Sequence, residues 1–286
     1  MTKPGAAWRV IGPVVILLVA MTGCRSASPP AAPAPPRLHR YAALGDSYAS
    51  GEGLAPFEPD ARGCHRSPLA YPRLVAAATG GPELAFVACA GSTVADVLGT
   101  RQLGALDPAS DLVTVMVGGN DAGFADVVGA CVIDPTPCRG LDAEVEATLA
   151  RLGPTLEDAY RRIQARVPGA RVLVVGYPQL VADPATANVD TCPAVASPLP
   201  GLRVTADDAR WLRDKGARLS AVLGGAAKAA GVQYVDVAAG FAGHEACSSD
   251  PWLSGVVLTD IAASFHPTAV GQAELARLVE RVITSS

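Results

Sequence analysis

The chain has 286 residues, 50% of them apolar and 5% aromatic, with 23 Lys and Arg set against 27 Asp and Glu for a formal net charge of −4. No basic run is present to suggest a nucleic-acid partner, and no repeat is detectable. The composition suits one domain with a substantial core rather than an array or a tail.

In chain order, the first element is a targeting segment. Lys3 and Arg9 precede the apolar stretch Val10–Met21, and Thr22-Gly23-Cys24 follows. Basic, apolar and small-residue regions in that order read as a secretory signal over residues 1–23. The apolar stretch is shorter than the ~20 residues of a bilayer-crossing helix, and Pro13 interrupts it, so no permanent span is expected. Met21-Thr22-Gly23-Cys24 resembles a bacterial lipobox, which implies cleavage before Cys24, acylation of Cys24 and an anchor on the outer face of the cell membrane. Ordinary cleavage a few residues later, releasing the protein, is the alternative. Residues 24–38 are dominated by Ser, Ala and Pro, a composition that buries no core and favours extended chain, so they read as a tether. Residues 39–286 then form the folded domain.

Within that domain, apolar, β-branched runs alternate with helical patterns. Strands are expected at Tyr41–Leu44, Ala85–Ala88, Leu112–Val117, Val172–Val175 and Val232–Val237. Helices are expected near Pro68–Ala78, Thr93–Leu98, Ala143–Val167, Thr205–Ala230 and Pro267–Ile283. Continuous apolar strands fit a parallel sheet covered on both faces, and the alternation indicates a three-layer α/β domain with right-handed crossovers. Ligands in such sheets gather beyond the carboxyl ends of the strands. Gly45-Asp46-Ser47, Cys89-Ala90-Gly91-Ser92, Gly118-Gly119-Asn120-Asp121 and Gly176-Tyr177-Pro178 all stand there.

Seven cysteines occur, at 24, 64, 89, 131, 138, 192 and 247. Setting aside Cys24 leaves an even number in an exported chain, the parity of three disulfides. Spacing does not select one connectivity; the short-range pairing Cys64–Cys89, Cys131–Cys138, Cys192–Cys247 is the simplest. Neither Cys-x-x-Cys nor His-x-x-x-His occurs, so no metal is expected. Gly51-Glu52-Gly53 is a fragment of a dinucleotide fingerprint with Pro56 where its third glycine belongs, and no cofactor is expected either. Gly-x-Ser-x-Gly is absent, which removes the α/β-hydrolase elbow as a setting for Ser47.

Ser47 in Gly-Asp-Ser, Gly91 after the second strand, Asn120 in Gly-Gly-Asn-Asp and His266 in "SFHPTAVG" together resemble the SGNH hydrolase (GDSL-type) family, in the family's order. "CHRSPLAYP" from Cys64 and "FAGHEAC" from Phe241, with Trp252 after it, look like its secreted actinobacterial esterase and lipase branch, where the short-range disulfide pairing is usual. The resemblance implies a flavodoxin-like sandwich of strand order 2-1-3-4-5. It also implies Ser47 as nucleophile, His266 as general base, and an oxyanion hole from the Ser47 and Gly91 N–H groups and the Asn120 amide. A serine hydroxyl needs a neighbouring imidazole to take its proton, so Ser47 and His266 are required to meet across the fold. The family often has Asp three residues before the histidine; here that residue is Ala263, and the expected support for the imidazole is the Ala263 carbonyl, with Asp260 the weaker candidate.

Asp46 is read as an acceptor for loop N–H groups, His65 and His244 as loop-fixing, and His39 as solvated; Trp252 lines an acyl pocket or packs. The implied activity is hydrolysis of lipid-like acyl esters through an acyl-enzyme, by a protein expected to be monomeric. The alternatives are another reaction of the same family, such as phospholipid deacylation, thioester hydrolysis or glycan deacetylation, or a lipoprotein that binds ligand without catalysis.

Overall fold

Five apolar runs become the strands of one sheet: β1 (Arg40–Gly45), β2 (Glu83–Phe86), β3 (Leu112–Met116), β4 (Arg171–Val175) and β5 (Gln233–Val235). The computed structural model describes residue 1 and residues 37–59, 63–133, 138–189, 192 and 204–285. The expected signal peptide, Cys24 and all of the tether except Arg37 and Leu38 lie outside the described residues.

All four pairings are parallel and the order is β2-β1-β3-β4-β5. Every residue of β3 is buried, as are Tyr41 to Gly45 of β1, so these strands have no solvent face and need cover on both sides. Thr114, the polar residue within β3, is bonded to the Tyr41 hydroxyl at 2.8 Å and accepts from the Tyr71 hydroxyl at 3.2 Å, which satisfies it in the core.

The crossovers supply the cover. In chain order the helices are α1 (Ser47–Ser50), α2 (Tyr71–Ala78), α3 (Val94–Val97), α4 (Phe124–Ile133), α5 (Asp142–Arg166), α6 (Ala206–Ala230), α7 (Val237–Gly240) and α8 (Ala269–Thr284). On α5, Leu149, Leu152 and Leu156 recur at helical spacing and are buried; Leu219 and Leu223 do the same on α6. The two helices pack along each other, and Lys215 of α6 places its Nζ 2.7 Å from both Asp142 and Glu146 of α5. α2 and α8 form the second packed pair, giving a three-layer α/β/α sandwich.

Several boundaries differ from expectation, and three of them have a clear local reason. β2 starts two residues early because the Glu83 N–H already bonds to the His39 carbonyl, and it ends at Phe86 because the Val87 and Ala88 N–H groups converge on the Ala43 carbonyl. The run Val232–Val237 is divided because Asp236 accepts from the Ala239 N–H and caps α7. α8 begins at Ala269, since Thr268 accepts from the Gly271 N–H as its cap and leaves Pro267 outside. α4 had no counterpart among the expected helices. Disulfides join Cys64 to Cys89, Cys131 to Cys138 and Cys192 to Cys247.

Candidate active site

The strand order reverses between β1 and β3, so their outgoing loops diverge and leave a crevice at the carboxyl edge of the sheet. β1 leaves the sheet at Gly45, whose φ is +143° and where a Cβ would stand 2.4 Å from the Met116 carbonyl oxygen, so no side chain fits. Asp46 is buried and caps α1 by accepting from the Tyr48 N–H at 3.0 Å, which leaves Ser47 as the first helical residue.

His266 arrives from the opposite end of the chain, just before α8. The preceding residue, Phe265, is held at φ +58°, a left-handed conformation that is unfavourable for a bulky side chain and is stabilised here by its surroundings. The Tyr48 hydroxyl donates to the Phe265 carbonyl at 2.7 Å. The turn brings His266 Nε2 to 2.7 Å from Ser47 Oγ, and Nδ1 to 3.0 Å from the Ser264 carbonyl. A carbonyl accepts only, so Nδ1 carries the hydrogen and Nε2 faces the serine with its lone pair. Burial pushes the imidazole down to about 4, against the opposing pull of the Ser264 carbonyl and the more distant Asp260 charge. The ring is therefore neutral, and able to accept a proton, at neutral pH.

The support expected from Ala263 is corrected: the Nδ1 partner is the Ser264 carbonyl. The Ala263 carbonyl takes the Ser254 hydroxyl at 2.6 Å and the His266 N–H at 3.3 Å, so it faces the backbone of the turn rather than the ring. Asp260 makes no hydrogen bond to His266.

The β2 and β3 loops are tied together. Asn120 donates one amide hydrogen to the Ser92 carbonyl at 2.9 Å, and Asp121 accepts from the Val94 N–H at 3.0 Å. Asn120 keeps a second amide hydrogen, and among the described residues no protein acceptor takes the N–H of Ser47 or of Gly91. Gly91 has φ +77° and open space where a Cβ would lie. These are the three donor groups that the family resemblance expects of an oxyanion hole, and among the described residues they retain N–H capacity not taken by a protein acceptor.

A cavity of about 610 Å³ opens from Ser47 and His266, walled by Phe124 and Val128 of α4, Leu219 of α6 and Val256 of the loop before His266. Its lining is almost entirely apolar and matches an acyl chain better than a sugar. The α4 wall was missed from sequence, and so was Ser264. Trp252 does not line this cavity; it stacks on His244 with ring centroids 3.5 Å apart and meets Phe241 edge-on. His65 bonds to the buried Glu52 carboxylate at 2.8 Å and His244 to the Asp250 carbonyl at 2.8 Å, and neither ring bonds to the Ser47 hydroxyl.

Residues 43–274 match the GDSL-like Lipase/Acylhydrolase family. The chain is 37% identical over 255 residues to Lipase 1 of Streptomyces coelicolor, covering 88% of each, and 36% identical over 248 residues to a lipase of Streptomyces rimosus, covering 85% of this chain and 87% of that one. It is similar in structure to phospholipase A1 from Streptomyces albidoflavus (TM-score 0.76, 36% identity, 85% of this chain and 99% of that one). The extracellular lipase of Streptomyces rimosus is similar too (TM-score 0.75, 34% identity, with the same coverage).

Proposed function

This chain belongs to the GDSL-like lipase/acylhydrolase family and is a carboxylic ester hydrolase of the SGNH type, and we propose that it is an exported serine hydrolase that cleaves lipid-like acyl esters through an acyl-enzyme on Ser47. The observation that carries this reading is the 2.7 Å approach of Ser47 Oγ to His266 Nε2 at the mouth of an apolar cavity.

In the proposed cycle Ser47 Oγ attacks the ester carbonyl as Nε2 takes its proton, and the resulting imidazolium keeps its Nδ1–H on the Ser264 carbonyl. Charge on the former carbonyl oxygen is met by the N–H groups of Ser47 and Gly91 and the second amide hydrogen of Asn120; each such donor commonly contributes ~10²–10³ in kcat. The alcohol leaves with the proton from Nε2. A water molecule then repeats the sequence, releasing the acid and restoring Ser47. The acyl chain lies in the cavity between α4, α6 and the loop before His266.

Turnover of p-nitrophenyl esters of graded chain length by wild type, Ser47→Ala and His266→Ala tests this. A fall of at least ~10²-fold is expected in each variant. Equal rates in all three would remove the hydrolase mechanism and favour a ligand-binding lipoprotein.

Phospholipid deacylation is a second reading, favoured by the likeness to a phospholipase A1, since the cavity suits the acyl chain of either lipid. Fatty acid release from phosphatidylcholine against that from a triacylglycerol separates the two. Export is supported by the N-terminal pattern and by the likeness to an extracellular lipase. Anchoring through Cys24 rests on the lipobox alone; mass spectrometry of the mature N-terminus should find an acylated Cys24, and an unmodified terminus beyond it would refute the anchor.

A further inference from the structure

The residues flanking the proposed catalytic groups converge on one phenol. Tyr177 follows β4 and is only 7% exposed. Its hydroxyl donates to Asp46 Oδ2 at 2.5 Å and accepts from the Gly119 N–H at 3.2 Å. Asp46 is the residue before Ser47, and Gly119 is the residue before Asn120. Packing enforces the same contact, because a Cβ on Gly119 would lie 3.3 Å from the Tyr177 ring. The ring also meets Tyr48 edge-on at 5.2 Å. Tyr48 in turn holds the Phe265 carbonyl, and its ring centroid is 4.7 Å from that of His266.

We propose that Tyr177 is a positioning residue: by bridging Asp46 and Gly119 it sets the register of the Ser47 loop against the Asn120 loop, and through Tyr48 it also steadies the turn that carries His266. This inference rests on the roles proposed above for those three residues. A phenol suits the position because it accepts from one loop and donates to the other through a single oxygen, giving a directional chain from N–H through O–H to carboxylate. In a dry interior such a chain is stiff and each member polarises the next. Burial pushes the Asp46 carboxyl up to about 7, with the Tyr177 bond pulling it back, so this bond is part of what keeps the charged form accessible. Attack at Ser47 creates an oxyanion that Asn120 and the Ser47 N–H serve from different loops; the Asp46 N–H bond to the Met116 carbonyl ties the bases of these loops, and Tyr177 adds a link beyond the sheet edge.

The test uses the full chain with Tyr177→Phe, Asp46→Asn and the double variant, a soluble p-nitrophenyl butyrate substrate, and an alkylboronic acid as a tetrahedral inhibitor. Each single variant is expected to lower kcat at least about tenfold, with KM within about threefold, and to weaken the boronate by a factor parallel to the loss in kcat. The double variant should lose no more than the worse single, as members of one bridge do. Folding is checked by thermal melting; if Tyr177→Phe does not fold, the nearly isosteric Asp46→Asn is judged by the same criteria. A folded variant with kcat within twofold of wild type overturns the proposal, and so does a loss of kcat with boronate binding unchanged. If Ser47→Ala instead retains activity, the hydrolase reading itself fails, an outcome distinct from failure of the bridge.

Discussion

At the scale of single residues, the chemistry turns on what surrounds His266. Its imidazole has a backbone carbonyl where many proton relays have a carboxylate, so no hydrogen-bonded carboxylate stabilises the imidazolium and only the Asp260 charge, which makes no hydrogen bond to the ring, favours it. Burial then dominates and depresses the ring to about 4. The base must be neutral to act, and a lowered value keeps it neutral to lower pH. The limb of kcat/KM that belongs to His266 should reach half its height near 4 and fall about tenfold per unit below, while protonation of Asp46 near 7 is a separate step above it, absent from Asp46→Asn. A limb near the ordinary histidine value of 6.5 that persists in Asp46→Asn would mean that the ring is solvated and the described geometry is not the working one. Ser47, Gly91, Asn120 and His266 were proposed from sequence because each stands in a motif block of the family, in the family's order. The Ser264 carbonyl was not, since every residue carries a carbonyl and only the turn decides which one faces Nδ1.

At the scale of elements, the long helices were readable and the cavity wall was not. The helix expected near Ala143–Val167 forms as α5 and continues past Pro154; that residue is exposed, so the ring sits on the solvent side, where a helix tolerates it best. α4 reads Phe-Ala-Asp-Val-Val-Gly-Ala-Cys-Val-Ile, apolar nearly all round, and so shows no amphipathic period. Part of that apolar surface lines the cavity beside Ser47 and His266. Gly129 lies in this wall, with nothing within 4 Å of where its Cβ would be. Gly129→Phe should therefore project a ring into the cavity and shift the preferred acyl length toward shorter esters. The ratio of kcat/KM for p-nitrophenyl laurate to that for the butyrate is expected to fall at least about tenfold, since excluding two or more methylenes costs over 1 kcal/mol. An unchanged ratio would place the acyl chain elsewhere.

At the scale of the whole molecule, the sheet brings Ser47 and His266 together from 219 positions apart, and disulfides secure the regions between elements. Cys192–Cys247 spans 55 positions and Cys131–Cys138 only 7. By the chain-entropy account, removing the first should cost about 4 kcal/mol and the second about 2 kcal/mol. Melting of the two paired Cys→Ala variants measures this; an equal or reversed order would show that native contacts, not loop closure, set the cost.

The amino-acid order by itself determined the strand and helix alternation and the parallel sheet, which follow from burial patterns. Its motifs carry the family resemblance from which the roles proposed for Ser47, His266, Gly91 and Asn120 come. Only the tertiary structure decided which carbonyl orients His266, that Trp252 packs rather than lines the acyl site, that α4 walls the cavity, and that Tyr177 joins the Ser47 and Asn120 loops. These depend on directions and separations of a few ångströms between segments remote in sequence, and such distances are set by packing, which no local pattern encodes.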